Sequence, residues 1–249
     1  MKITPGGVIA AEWTKFSSLR STWITTGISV FLLIAFGMIA SASFSGDGMT
    51  AIDLALSGSV LAALSVGVLG ALLGASEYTT GMIRATLTAV PRRLPVLWSK
   101  SLVAGSAAFV TMTAGAFAAF AAGSAVLNDK ISGLRLGDDG VLRALLGAGL
   151  YLGLVAVLGV ALGMLVRSSA GAIAILAGLL LIVPSLAPLL PDSISEAITP
   201  YLPSNAGGAV MALTHGEGTL APWAGLAVFA GYVAVTLAAA VYRLKKTDA

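Results

Sequence analysis

Six long apolar stretches run along the 249-residue chain, and nearly all of its charge is collected in the shorter segments between them. A hydrocarbon layer of about 30 Å takes about 20 helical residues at 1.5 Å each. Residues 22–43, 54–76, 101–127, 143–166, 170–190 and 222–242 all meet that length. Lipid cannot satisfy open backbone groups, so segments that cross it must be helices. The pattern therefore predicts an all-α integral membrane protein, with residues 1–249 forming a single transmembrane domain of six spans.

Breaks in the pattern refine this layout. Only Arg167-Ser168-Ser169 separates the fourth and fifth spans, which predicts a tight hairpin. Pro184 and Pro188 remove backbone donors near the far end of the fifth span, so that span is expected to end irregularly. Residues 192–213 are too polar to cross but carry short apolar patches at Ala197-Ile198 and Val210-Met211. They read equally as a shallow re-entrant or interfacial element and as an external loop. Ala40-Ser41-Ala42 resembles a signal-peptide cleavage site, but the apolar run before it is too long and the leading segment contains Glu12 and Pro5. The first span is expected to be retained.

Composition agrees. Hydrophobic residues make up 57% and charged residues 10%, with a mean hydropathy of +0.97. A soluble domain needs roughly a quarter of its residues charged. The absence of cysteine excludes disulfides and thiolate metal sites. The net charge of +3 points to no nucleic-acid partner, because the charges are sorted by side and form no single patch. The termini and the segments on their side hold 11 of the Lys and Arg residues, and the opposite side holds 3, namely Lys130, Arg135 and Arg143. Eight of the acids lie on that opposite side. By the positive-inside rule both termini are expected in the cytoplasm.

Within the hydrocarbon zones of the predicted spans, inside the Arg143 that opens the fourth, there is no Asp, Glu, Lys, Arg or His, which argues against a proton-coupled antiporter or a charge-lined channel. A path lined by Ser and Thr, such as Thr111, Thr113 and Ser185, or by apolar side chains stays open. Phe31, Phe36, Met112, Phe117 and Phe120 are expected to face lipid or pack the bundle. Small residues four apart (Gly70/Gly74, Gly149/Gly153, Gly159/Gly163) allow close helix approach, either within one subunit or between two. A single histidine, His215, offers neither a metal site nor an intramembrane base, and no Gly-Lys pair exists to form a phosphate loop. No cofactor, no metal and no catalytic residue is expected. Any ATP hydrolysis must come from another polypeptide.

One polar segment stands apart. Residues 77–100, EYTTGMIRATLTAVPRRLPVLWSK, hold Arg84, Arg92, Arg93 and Lys100 on the expected cytoplasmic side. Thr79-Thr80 can cap a short helix from Met82 to Val90, and Pro91 stops it. Trp98 and Lys100 are placed as anchors at the membrane interface. Such a helix would offer Met82, Ile83 and Leu87 beside Arg84 to a soluble partner, or its arginines could simply meet anionic lipid headgroups.

The pattern E-Y-x-x-G-x-I-R-x-T-L-x-x-x-P-R-R resembles the first cytoplasmic loop of ABC-2-type permeases, the membrane subunits of bacterial ABC exporters. AEWTKFSSLRSTW near the N-terminus resembles that family's amphipathic entry helix, and PYLPSNAG is similar to a segment of its last external loop. The resemblance implies a permease in the bacterial plasma membrane, paired with a second copy or a sister permease. Each permease would dock on a cytoplasmic ABC ATPase subunit through residues 77–93, which include a cytoplasmic coupling helix. Glu77, Gly81, Arg84, Pro91, Arg92 and Arg93 would carry the coupling. Trp13, Lys15 and Arg20 would seat the entry helix among membrane lipids. The uncharged spans suit an amphipathic cargo such as a drug or antibiotic peptide. Two other classes remain at this point. A non-transporting scaffold or immunity protein would use the same segment for partner binding alone. A lipid-directed enzyme would need a paired carboxylate or histidine cluster that the sequence does not show.

Overall fold

A computed structural model describes residues 4–44, 49–79, 81, 93–127, 135–213 and 218–246. All regular elements among them are helical. Helix α1 (Pro5–Ser18) precedes α2 (Arg20–Ser43), and Leu19 between them is extended, which turns the chain at the junction. The second apolar stretch is split. A short α3 (Ala51–Ala55) is closed by a Thr50/Asp53 capping box, and α4 (Ser59–Thr79) follows after a turn. Gly58 in that turn lies against the Leu32 and Leu33 backbone, where no Cβ would fit. Next come α5 (Arg93–Leu127), α6 (Val141–Val166) and α7 (Ser169–Ala177).

Beyond α7 the fifth stretch loses regularity, as its prolines predict. It passes through a π-helical turn (Gly178–Ile182), a short α8 (Val183–Leu186) and a 3-10 turn (Ala187–Leu189). Helices α9 (Asp192–Ile198) and α10 (Pro203–Gly208) lead to α11 (Pro222–Lys246). Six segments are long and apolar enough to cross a membrane: Arg20–Ser43, Ala51–Tyr78, Leu94–Leu127, Val141–Val166, Ser169–Leu189 and Pro222–Lys246. Each overlaps one stretch read from the sequence. The hairpin between the fourth and fifth forms as expected. Arg167 takes a left-handed conformation (φ 60°), and the Ser168 hydroxyl accepts the Gly171 N–H.

Helix α6 is the axis of the bundle, with 72% of its most apolar window buried against 22% for the first and fifth spans. Glycine makes that central position accessible. A Cβ on Gly70 would run into the Ala156 carbonyl and one on Gly159 into the Gly67 carbonyl, while Gly74 and Gly163 meet across the same seam. Gly149 and Gly153 do the same toward α5, against Thr113 and Gly105. The small-residue pairs therefore pack one chain's helices together, with backbones close enough for dispersion and weak Cα–H contacts to act. The aromatic and methionine side chains divide between the two expected roles. Met112 and Phe120 are buried, whereas Phe31 and Phe36 face outward.

At the end of the bundle opposite the termini, part of residues 192–213 folds onto the helices. Ala206 and Val210 are fully buried, and Gly207 lies on the Tyr151–Phe229 edge-to-face pair, whose centroids are 5.1 Å apart. The Arg143 guanidinium donates to the Val210 and Ala212 carbonyls at 3.0 and 2.9 Å, capping the C-terminal end of these short helices. The plain loop is not what forms. The segment is short helices, of which residues 203–211 dock on α6 and α11 while Asp192–Ile198 stays exposed.

Candidate functional site

The terminal end of the bundle carries most of the described cations, and there the chain buries charge. Glu12 and Lys15 lie one helical turn apart on α1, Glu77 closes α4, and Lys100 sits in the second turn of α5. Glu12, Glu77 and Lys100 are each only 6% exposed. Lys100 Nζ donates to Glu12 Oε2 at 2.8 Å and to Glu77 Oε1 at 2.7 Å. Lys15 Nζ donates to Glu12 Oε1 and Glu77 Oε1, both at 2.9 Å. Two carboxylates and two ammoniums thus form a neutral ring that joins three helices.

The ring has a clear physical logic. A lone charge buried at this depth would cost several kcal/mol of desolvation, and charge-assisted hydrogen bonds offset that only when each ion is paired. Burial pulls the Lys15 ammonium down, but the hydrogen bonds and charges of Glu12 and Glu77 outweigh it. The Lys15 pKa stands above the ordinary lysine value. Glu77 Oε2 is the exception in the ring. It is buried and accepts no hydrogen bond among the described residues.

Around the ring, α1 is seated by aromatic contacts. Trp13 stacks on Phe16 with centroids 5.8 Å apart, and Phe16 meets the edge of Trp23 at 6.4 Å. Trp23 Nε1 donates to the Ser17 carbonyl at 2.9 Å, which pins the α1–α2 corner. On the other flank of α4 the Arg167 guanidinium lies 5.1 Å from the Tyr78 ring, and Arg243 donates to the Leu165 carbonyl. The base of α4 is therefore tied to α1 and α5 on one side and contacts the α6–α7 hairpin on the other.

The sequence-predicted site residues divide three ways. Glu77 joins the ring. Gly81 is exposed with φ 72°, a conformation only glycine adopts freely, and Arg93 is the first residue of α5. Arg84, Pro91 and Arg92, with the helix expected over 82–90, lie outside the described residues. Among the interface anchors, Trp13 and Trp98 are 47% and 53% exposed and Arg20 is exposed. Lys15 is partly exposed, with its amine turned into the ring. Lys100, expected at the lipid interface, is instead turned inward to Glu12 and Glu77.

Sequence reading missed Glu12 as a site residue; it entered by name only as evidence against a signal peptide. Its local signal is a carboxylate three residues before Lys15, whereas its meeting with Lys100 follows only from how α1 packs. Among the described residues no group of three or more His, Cys, Asp or Glu converges to hold a metal. The carboxylates of the ring are already neutralised.

The class this fold and site define is an all-helical chain compatible with a multi-pass membrane protein, its charge confined to the helix ends. No family model matches the sequence, and no curated protein matches it.

Proposed function

We propose that this chain is the membrane subunit of an ATP-driven exporter of the ABC-2 type. It works in the bacterial plasma membrane with both termini in the cytoplasm, beside a second copy or a sister permease. Separate cytoplasmic ATPase subunits dock on the segment that begins at Glu77 and ends at Arg93.

The observation that carries the reading is the ring of Glu12, Lys15, Glu77 and Lys100. The segment that resembles a coupling loop hangs between α4 and α5, and those two helices are clamped to each other and to α1 at its two roots. A push on such a segment is delivered to two spans and the N-terminal helix together rather than absorbed by one frayed end. Rigid attachment is what transmission of a distant nucleotide event requires. The spans also keep their ionisable groups near their ends, which suits an amphipathic cargo better than an ion.

The test is a pull-down of the tagged chain from its native membrane, with mass spectrometry of the soluble proteins retained. A stoichiometric partner with a phosphate-loop ATPase signature, lost on the triple charge reversal R84E/R92E/R93E at unchanged membrane level, is the expected result. A chain that retains no ATP-binding partner under conditions that keep other ABC exporters intact contradicts it.

A further inference from the structure

Toward the end of the bundle opposite the termini, a cavity of about 300 Å³ lies between α4, α6, α10 and the irregular part of the fifth span. Ser59, Tyr151 and Ser204 bring hydroxyls to it, and Leu180, Leu181, Pro184 and Met211 give it an apolar wall. Ser59 and Tyr151 are only 6% and 3% exposed, and neither hydroxyl makes a hydrogen bond among the described residues. The unpartnered hydroxyls of Ser101 and Thr113 are sealed in, whereas those of Ser59 and Tyr151 keep accessible surface and open onto the cavity they line. Buried polar groups in native proteins are paired, and an unpaired one marks a missing partner. No Asp, Glu, Lys, Arg or His lines the cavity. Tyr151 lies ten residues into α6, which begins at Val141, and so stands about 15 Å along that helix. Leu180 and Leu181 come from the π-helical turn Gly178–Ile182, a widened turn of the kind that often accompanies functional sites.

We infer that this cavity is a binding site for an uncharged amphipathic molecule, its alcohol group hydrogen-bonded to Tyr151 and Ser59 and its apolar body against Leu180, Leu181, Pro184 and Met211. A charged head carried this deep would lose its hydration with no counter-ion to replace it. A pure hydrocarbon would leave both hydroxyls unpaired. Water alone would pair the hydroxyls but leave the apolar wall wet. An alcohol both gives and accepts a hydrogen bond, as the serine and tyrosine hydroxyls do, and its carbon body covers the rest. At roughly 30 Å³ per water-sized group the cavity takes about ten such groups, which sets the size of the ligand. Val60 and Leu181 line the cavity and are 52% and 42% exposed, so a molecule dissolved in the bilayer can enter from the side of the bundle. The site stands apart from the exporter reading. It needs only a membrane around the chain and is tested without an ATPase, so either can fail alone.

The experiment is photolabelling of the full chain in phosphatidylcholine nanodiscs with 1-octanol carrying a diazirine on its chain. The matched diazirine octylamine and octanoate are run beside it at neutral pH and equal content in the bilayer. With the alcohol, adducts that excess plain 1-octanol displaces are expected to map by mass spectrometry to residues 59–63, 180–185 and 204–211. The amine and the acid are expected to mark those residues at least about tenfold less, since each must shed its charge or its hydration to enter. Tyr151→Phe combined with Ser59→Ala removes two hydroxyls that bond nothing in the chain. Its thermal midpoint should hold while the alcohol adducts fall by about three- to tenfold, the scale of a neutral hydrogen bond. The absence of displaceable adducts in those residues overturns the site. Charged probes that mark the cavity as strongly as the alcohol overturn the uncharged class, and labelling unchanged in the double variant overturns the part given to the two hydroxyls.

Discussion

Removing the Lys100 ammonium strands two carboxylates in a nearly dry site with only Lys15 to pair them. Lys100→Met is therefore expected to destabilise the chain by about 3–5 kcal/mol, the usual cost of breaking a buried ion pair from one side. The readout is the thermal midpoint in detergent, and a shift no larger than that of a lipid-facing control such as Val235→Ala would contradict the ring's role. Lys15 adds a pH signature. Its pKa is raised in the folded state, so the stability it supplies is fully present below the ordinary lysine pKa of about 10.4 and is lost as pH climbs past the raised value. The difference in stability between the wild type and Lys15→Met should stay constant from about pH 7 to about pH 9 and shrink only above the normal lysine range. In the sequence Lys100 looked like an interface anchor, because a lysine beside a tryptophan at the foot of a span is a common surface pattern. Only the position of α1, which hydropathy cannot place, brings Glu12 against it.

Helix packing in this chain is decided by what is missing from its seams. Gly70→Val and Gly159→Val each push a side chain into a facing carbonyl between α4 and α6 and are expected to cost about 1–3 kcal/mol or more. Gly231→Val, on α11 with open space around it, should be nearly silent in the same melting assay. The sequence showed the small-residue spacing but not the partner, since any glycine stripe serves an internal seam and a dimer equally well. It likewise showed the six spans, whose length and apolarity are local properties, and the irregular fifth span, whose cause is the fixed geometry of Pro184 and Pro188. Residues 192–213 were ambiguous because their burial depends on Arg143, more than sixty residues away in the chain by its contact to Val210. Arg143→Met should speed backbone hydrogen exchange over 203–212 by about tenfold or more, while exchange in α6 stays unchanged.

Across the whole molecule, the described charge is gathered at the two ends, and the polar segment with the exporter-like pattern leaves from the end that buries the ring. If the proposed function holds, a partner's movement at residues 77–93 would enter the bundle through α4 and α5, which Glu12, Lys15, Glu77 and Lys100 hold together. The sidedness can be read with a single cysteine at Thr88, which is clean because the chain has none. It should react with impermeant reagent only from the cytoplasmic face. The most direct measurement places a photocrosslinking amino acid at the same position and irradiates native membranes. The account predicts a covalent adduct with a soluble ATP-binding subunit, weakened by the R84E/R92E/R93E reversal. Adducts with lipid alone, or with a second copy of this chain and no ATP-binding protein, would contradict it.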